Sequence, residues 1–459
     1  MDTTGLTQSA QRRAIASLAA LYVLRMLGLF MVLPVLMIDG QALASATPEL
    51  LGLAMGIYGL TQALLQIPAG ALSDRIGRKP VIIAGLLIFA LGSFVAAQAD
   101  SVFELIFGRA LQGGGAIAAA IMALVTDLTD EDNRMKAMGA IGISIGVSFS
   151  VALVLGPWLA SFGGLSAIFW VTGLMALAGI ALTVLVIPSP PPQAHRDASP
   201  VISEVWLQLR NPQLWPLNLG VFLIHALMVA VFVAIPVQLL ALDLPASQHS
   251  WLYLPVLLVA FALMVPFIIV AEKKRKMKGI VLIGIGILVV TLFLMSQASE
   301  IWHWAVLLLL YFFAFNLMEA SLPSWLSKIA PAGAKGSAMG IYSSMQFLGA
   351  FAGGSLGGWL LADAGTGPLF MIFAIMVLLW GIMMAKAPAP LHLKSARLTL
   401  QAPLSSTQYR ALSALDGVVE VIELIDEHAV YMKINASEFS RQDALAIIKN
   451  TGEHHGSQR

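Results

Sequence analysis

The chain has 459 residues, of which 58% are hydrophobic and 11% are charged. Soluble domains contain roughly 45–50% apolar residues, so this composition excludes a soluble globular protein and indicates a membrane protein with many spans. The formal net charge is +1, and the chain contains no cysteine. The lack of cysteine excludes a disulfide framework, a thiolate metal site and a cysteine nucleophile.

Twelve stretches are long and apolar enough to cross a bilayer, which takes about 20 residues of helix. The first follows Arg12 and Arg13 and is too long for the core of a cleavable signal peptide. The twelve predicted spans are 15–38, 50–72, 80–97, 102–127, 136–161, 166–187, 214–241, 250–271, 279–297, 303–327, 336–361 and 367–386.

Lysine and arginine separate the two ends of the predicted bundle. The loops near 39–49, 98–101, 162–165, 242–249, 298–302 and 362–366 contain neither residue type. The alternate loops contain Arg12, Arg13, Arg75, Arg78, Lys79, Arg134, Lys136, Arg196, Arg210, Lys273, Lys274, Arg275, Lys276, Lys278, Lys328 and Lys335. Because basic loops stay in the cytoplasm, we expect both termini on the cytoplasmic side.

The two halves of the apolar region repeat each other. Ala137-Met138-Gly139 recurs as Ala338-Met339-Gly340, and Gly156-Pro157-Trp158-Leu159 recurs as Gly357-Gly358-Trp359-Leu360, each 201 positions later. Such matches in register predict two parallel six-helix repeats. We place these halves at 1–187 and 214–388.

The linker at 188–213 begins with four prolines among five residues and then turns polar. Apolar residues from Val201 to Leu209 recur at helical spacing, with Trp206 among them. This pattern favours an amphipathic helix at the cytoplasmic interface of the membrane. The alternative is a short soluble linker helix.

Residues 393–452 differ in composition and predict a small soluble domain. Its strand-like runs are Arg397–Gln401, Val418–Ile425 and Ala429–Ile434, and helices are expected to begin after Ser405 and Ser440. The order β-α-β-β-α predicts a ferredoxin-like α+β fold without its last strand. The fold class is therefore an all-α polytopic membrane protein of twelve helices in two pseudo-repeats, with a ferredoxin-like C-terminal domain.

The loop between the second and third spans reads Gly70-Ala71-Leu72-Ser73-Asp74-Arg75-Ile76-Gly77-Arg78-Lys79-Pro80. So many charges between two apolar runs belong at a membrane surface. A solvated hairpin without family meaning is the alternative. The sequence resembles the loop motif G-x-L-x-D-R-x-G-R-K of the major facilitator superfamily, and every fixed position is present.

The resemblance, which is closest to the drug:proton antiporter branch, implies a secondary transporter of the bacterial inner membrane. Such a protein alternates between inward-open and outward-open states, uses the proton gradient and carries a small molecule, here an apolar one. It implies a monomer in the lipid bilayer, without enzymatic activity, cofactor, metal site or nucleic-acid partner. The alternative function is a membrane-embedded sensor or scaffold whose C-terminal domain binds a regulatory ligand.

For this loop we expect a conformational latch formed by Gly70, Asp74, Arg75, Gly77, Arg78, Lys79 and Asp127. Asp74 is expected to face the positive N-terminal end of the eleventh helix, near Gly336. Arg78 is expected to reach Asp127 at the end of the fourth span.

Arg109 and Gln112 belong to the run Phe107-Gly108-Arg109-Ala110-Leu111-Gln112-Gly113, which resembles the superfamily motif R-x-x-Q-G. The resemblance implies that Arg109 lines the path of substrate or proton, and the alternative is a structural arginine bonded to a neighbouring helix. Around Gly156-Pro157, the glycines usual in antiporters are replaced by Ala152, Ala160 and Ser161. That departure weakens the antiporter assignment.

Four further polar residues lie within predicted spans, namely Arg25, His225, Asn316 and Glu319. Asn316 and Glu319 are three apart and share a helix face. Burial favours the protonated form of a carboxylic acid, and histidine titrates near physiological pH, so Glu319 and His225 are candidates for proton coupling. The alternatives are a carboxylate paired with arginine and a histidine hydrogen-bonded between helices.

Overall fold

The computed structural model describes residues 8–129, 131–188, 202–331, 334–390, 394–400, 402–424, 429–435 and 438–449. This part of the chain is mostly helical. Its α-helices are α1 (Gln8–Phe30), α2 (Leu36–Asp39), α3 (Pro48–Ile76), α4 (Arg78–Ala97), α5 (Val102–Gly114), α6 (Ala118–Leu128), α7 (Glu131–Leu185), α8 (Ile202–Leu209), α9 (Trp215–Ala241), α10 (His249–Lys273), α11 (Met277–Met295), α12 (Ile301–Ile329), α13 (Lys335–Asp363), α14 (Thr366–Lys386), α15 (Ser406–Ser413) and α16 (Arg441–Lys449).

The first span differs from the predicted 15–38. α1 ends at Phe30, and a turn leads into the short α2. Pro34 lies in this turn, and because proline has no backbone N–H and its ring collides with the preceding turn, a helix cannot run through it undisturbed. The hydrogen bond from Leu33 N to Phe30 O tightens the chain at this point.

Ten helical segments of the described chain are long and apolar enough to cross a membrane. One of them, 137–185, has 49 residues, about twice the length that a bilayer needs. Inside it Gly164 has a φ of 59°, a left-handed conformation open to glycine. The helix is broken there, so the predicted spans 136–161 and 166–187 meet at this glycine. α13 has 29 residues but is rich in glycine and serine, and it is not among the ten.

Helix α13 packs along both α3 and α9 and so joins the two predicted halves. The contact with α3 has no side chains between the backbones. A Cβ added to Gly354 would lie 2.7 Å from the backbone N of Gly56, and one added to Gly358 would lie 2.9 Å from Cα of Gly52. These positions lie toward the start of α3. We call that end of the bundle the non-basic end, and the end that carries the loop between α3 and α4 the basic end.

The C-terminal strands form one antiparallel sheet with the order β1-β3-β2, comprising β1 (Lys394–Thr399), β2 (Val418–Leu424) and β3 (Ala429–Ile434). The predicted strands match this arrangement within three residues at each end. Ser405 accepts a hydrogen bond from the backbone N of Gln408 and begins α15, as predicted. The predicted turn at 426–428 lies outside the described residues.

The small domain contacts the membrane helices through Lys433 on β3. Its Nζ donates to the backbone oxygen of Lys328 at 3.3 Å and also to that of Ala330, at the C-terminal end of α12. These carbonyls have no partner inside the helix, and a lysine there also interacts favourably with the helix dipole. Lys433 is only 7% exposed.

In the linker, α8 begins at Ile202 and packs against α13. Trp206 is exposed, and the guanidinium carbon of Arg210 lies 4.8 Å from its ring centre. Val201, the first residue of the predicted amphipathic pattern, lies outside the described residues.

Candidate functional site

The loop motif forms a tight reversal between α3 and α4. Gly77 is the one residue between the two helices. Its φ is 97°, a conformation that residues other than glycine rarely adopt. Because the reversal is so short, Arg78 becomes the first residue of α4 and stands beside the last turn of α3. Gly70 lies against α6, where an added Cβ would come within 3.2 Å of Cβ of Ala119.

Arg78 connects three elements. Its Nη1 donates to the carboxylate of Asp74 and, at 2.8 Å, to Oγ of Ser73 on α3. Its Nε donates to Oδ2 of Asp127 on α6 at 3.0 Å. The predicted contact between Arg78 and Asp127 is therefore present in the structure.

The remaining loop residues have other surroundings. Arg75 is exposed and Lys79 is half-buried. For Asp74 the contact present is with Arg78. At Gly336, the expected partner position on α13, an added Cβ would meet nothing within 4 Å. This structure thus shows the contact to α6, and the contact to α13 stays a prediction.

Arg25 on α1 reaches across to α3. Its Nη2 donates to Oε1 of Gln62 at 2.9 Å and to the hydroxyl of Tyr58 at 3.2 Å. Gln62 then donates to Gln66 at 2.7 Å. Arg25 is 3% exposed, and its Nε and Nη1 have no hydrogen-bond partner among the described residues. The sequence indicated Arg25 but not these three partners.

Arg109 on α5 is also fully buried, and its donors are matched by oxygen atoms. It donates to the backbone oxygens of Ala54 and Met55 on α3 at 3.3 and 3.4 Å and to Oε1 of Gln112 at 2.8 Å. The guanidinium carbon lies 5.2 Å from the ring centre of Tyr58, so both buried arginines meet at this tyrosine. Through these contacts Arg109 ties α5 to α3, and its expected place along the path of substrate or proton stays a prediction.

His225 on α9 lies in a second polar cluster, made by three helices of the second half. Its Nδ1 lies 3.0 Å from the backbone oxygen of Val221, and its Nε2 lies 2.7 Å from Nε2 of Gln346 on α13 and 3.6 Å from Oε2 of Glu319 on α12. His225 is 5% exposed, whereas the side chain of Glu319 is 41% exposed although its Oε2 is buried. Of this pair of ionisable side chains, His225 is therefore buried and Glu319 is partly accessible.

Two neighbours of this cluster on α13 were not predicted. Gln346 belongs to the glycine-rich helix α13, and an uncharged amide gives no signal in a scan for charges. The buried hydroxyl of Tyr342, one turn earlier, has no partner among the described residues and interacts electrostatically with Glu319. Asn316 is half-buried one turn before Glu319.

The contact between α3 and α13 brings together the polar cluster around Arg25 (Arg25, Tyr58, Gln62 and Gln66) and the polar cluster around His225. Phe347, the residue after Gln346, packs in a small apolar cluster with Tyr58. Its backbone also lies directly against Gly59. The Arg25 and His225 clusters therefore approach each other across the boundary between the halves.

A separate cavity of about 440 Å³ lies at the non-basic end and is lined in part by Asp39, Leu43, Gly164 and Ser166. Burial raises the pKa of the Asp39 carboxyl. The cavity shares no lining residue with either cluster. Among the described residues, no group of three or more acidic or histidine side chains could hold a metal ion.

Comparison with known proteins identifies the family. The model described as Major Facilitator Superfamily matches residues 18–354. The chain is 45% identical to the inner membrane transport protein YajR of Escherichia coli (strain K12), over 96% of this chain and 98% of that protein. It is 26% identical to the multidrug resistance protein MdtH of Aeromonas salmonicida (strain A449), over 78% of this chain and 90% of that protein.

The fold gives the same result. It is similar to the crystal structure of a bacterial homolog of the human lysosomal transporter Spinster, with a TM-score of 0.66 and 14% identity, over 83% of this chain and 98% of that one. Together with the loop between α3 and α4, these matches show that the chain belongs to the Major Facilitator Superfamily and is a multi-pass membrane transporter of small molecules rather than an enzyme.

Proposed function

We propose that this protein is a proton-coupled secondary transporter that exports or exchanges small lipophilic molecules by alternating access. The observation that carries this proposal is the cluster of His225, Glu319 and Gln346. It joins a titratable pair to α13, the helix shared between the halves. A proton that binds to this pair therefore changes the charge directly beside α13.

The architecture of the proposal has twelve spans in two halves, 1–187 and 214–388. The ten apolar segments become twelve when 137–185 is divided at Gly164 and α13 is added as the eleventh span. The basic loops then lie in the cytoplasm with both termini. The linker is 188–213, and 393–452 is a ferredoxin-like domain, for which the strand order β1-β3-β2 is the supporting feature.

The proton site is the His225–Glu319 pair. With Nδ1–H donating to Val221, neutral His225 has an acceptor at Nε2, which takes the hydrogen bond of Gln346. A proton on Nε2 makes an imidazolium 3.6 Å from the Glu319 carboxylate. The attraction of the two charges stabilises that state, and Asn316 adds a polar group on the same face of α12.

The arginines of the first half provide the opposite wall of the transport path. When Arg25 approaches Glu319 its positive charge favours the carboxylate, and when the halves separate the protonated acid is favoured. Proton uptake and release then follow conformation. Arg109 and Gln112 hold α5 and α3 in place behind Tyr58.

The loop at the basic end is the latch. Arg78 binds Asp127 within the first half, and Asp74 faces the N-terminal end of α13 when that end is closed. Each interaction is partly solvated and contributes about 1 kcal/mol, which is sufficient to bias two states within a few kcal/mol of each other.

The substrate class follows from the relatives and the apolar spans. MdtH is named a multidrug resistance protein, which supports an apolar substrate for this chain. The transporter is proposed to act as a monomer in a bacterial inner membrane, with both protons and the small molecule as its ligands.

A sensor is the second candidate, because Lys433 joins the small domain to the end of α12. A thermal-shift screen of lipophilic compounds on the purified protein, followed by uptake assays in proteoliposomes with an imposed pH gradient, separates the two. A transporter gives saturable flux that disappears when the gradient is collapsed. Compounds that stabilise the protein without any saturable flux would favour the sensor.

A further inference from the structure

We infer that Gln346 is the residue that reports the protonation state of His225 to the contact between the two halves. The inference rests on the proposed proton coupling and adds a positioning residue to it. Gln346 is the group in contact with His225 Nε2, at 2.7 Å, and it belongs to α13. The amide of Gln346 therefore contacts the ring nitrogen that gains or loses the proton.

The chemistry of the contact is different in the two protonation states. Nδ1 is occupied by the backbone oxygen of Val221, so it keeps its hydrogen in both states. Neutral His225 accepts at Nε2, which requires the NH₂ of Gln346 to face it. Protonated His225 donates from Nε2, so the NH₂ no longer has an acceptor, and the amide has to rotate its oxygen toward the ring or move away. Glu319, 3.6 Å away, is the competing acceptor.

Other ionisable groups around the pair are few. Tyr342 approaches Glu319 from α13, and Tyr311 stacks on Phe315, whose ring lies 5.9 Å from that of His225. From α14, Trp380 donates to the backbone oxygen of Pro216 near the start of α9, and Thr366 donates to Oε1 of Gln238 near its end. α2 meets α9 with Asp39 at the non-basic end, where His249 also lies. Among the described residues, the side chains that face His225 Nε2 directly are thus Glu319 and Gln346.

A rearrangement of Gln346 acts directly on the boundary between the halves. The next residue, Phe347, contributes the backbone that lies against Gly59 of α3. One turn and two turns further on, Phe351 and Gly354 contact Gly56 and Gly52 in the same close manner. Since the two backbones touch without intervening side chains, a displacement of α13 is not absorbed by rotamer changes.

The test uses the absence of native cysteine. A single cysteine at position 336 (Gly336→Cys) has open space around it, and its labelling rate is followed from pH 5 to 9 as a readout of conformation. Gln346→Met keeps the length and removes the hydrogen bond, so neutral His225 is destabilised. The midpoint is expected to rise by roughly 0.5–1 pH unit. Gln346→Glu adds a carboxylate that stabilises the imidazolium, and the midpoint is expected to rise further.

Ser355→Ala is the matched control, because this buried hydroxyl on the same helix has no partner among the described residues. It should leave the midpoint unchanged. In a His225→Gln background the labelling rate should no longer depend on pH, and adding Gln346→Met should not change it. If both position-346 variants keep the parental midpoint while His225→Gln abolishes the titration, the role of Gln346 is refuted and the proton site survives. If His225→Gln and Glu319→Gln both leave the titration intact, the proton site itself is refuted, and the inference with it.

Discussion

Arg78 Nε lies 3.0 Å from Asp127 Oδ2, and this bond ties the first residue of α4 to the last turn of α6. The two residues are 49 positions apart and are brought together by the packing of α6 against α3 and α4. The same guanidinium also contacts Asp74. One arginine therefore fixes the relative positions of three helix ends.

Loss of either carboxylate should open the basic end of the bundle. Asp74→Asn or Asp127→Asn removes one ionic contact, worth about 1 kcal/mol at a partly solvated site, so the open population should grow roughly fivefold. The measurement is the labelling rate of a cysteine introduced at Gly336. Arg75→Gln, an exposed residue of the same loop, is the control and should have no effect. Unchanged labelling in both Asp variants would exclude the latch.

Neutral variants of the proton site should uncouple transport from the gradient. Glu319→Gln preserves the shape of the side chain and removes its titration, and His225→Gln replaces the titratable imidazole by an uncharged amide. We expect substrate binding to persist, while gradient-driven flux falls to the background of protein-free vesicles. Binding is measured by thermal shift and flux in proteoliposomes at several pH values. Parental flux and pH dependence in the single and double variants would show that protons bind elsewhere.

The close contact of α3 and α13 should not tolerate a methyl group. In Gly354→Ala the new Cβ would lie 2.7 Å from the backbone N of Gly56, and overpacking of this kind costs about 1–3 kcal/mol. We expect a lower melting temperature and faster labelling of a cysteine introduced at the non-basic end. Gly286→Ala, where nothing lies within 4 Å of the new Cβ, is the control. Equal melting temperatures for the two variants would contradict the close packing.

The small C-terminal domain should be dispensable for folding of the membrane helices. It supplies no span, and Pro388 and Pro390 separate it from α14. Truncation after Ala389 should give a monodisperse protein in mild detergent, as judged by size-exclusion chromatography. Aggregation of the truncated protein would show that the domain is integral to the fold.

Docking of that domain should depend on Lys433. Lys433→Gln removes the charge that interacts with the end of α12, so hydrogen exchange in residues 326–331 should increase. Arg410→Gln changes an exposed charge of the same domain and should leave exchange unaltered. Equal exchange in both variants would mean that Lys433 does not hold the two parts together.

Secondary-structure elements that depend on local sequence patterns were predicted well. The strand Ala429–Ile434 alternates in polarity and is found as predicted, and Ser405 caps its helix because its hydroxyl suits that position. The end of the first helix at Phe30 was missed, since mean hydropathy does not register a proline turn inside an apolar run. The break inside α7, by contrast, lies where the sequence separated the predicted spans 136–161 and 166–187, since Gly163 and Gly164 have non-helical backbone angles.

The site was predicted in part for a similar reason. Charged residues within apolar spans are conspicuous, and Arg25, His225 and Glu319 could be identified from the sequence. Their partners Tyr58, Gln62 and Gln346 are uncharged and common, and only the packing of helices from distant parts of the chain shows that they face a charge. Whether Arg109 lines the path or supports it also depended on which carbonyls it meets.

The contact between Gly354 and Gly56 differs from the contacts at the basic end in the response to salt that we expect of it. Glycine backbones carry no net charge, so dissolved ions do not screen this contact. At the basic end, Arg78 forms ion pairs with Asp74 and Asp127, and between 0.15 and 1 M salt the Debye length falls from about 8 to 3 Å. Under the proposed latch, we therefore expect salt to weaken closure at the basic end, where the contacts are ionic, and to leave the glycine contact at the non-basic end unaffected.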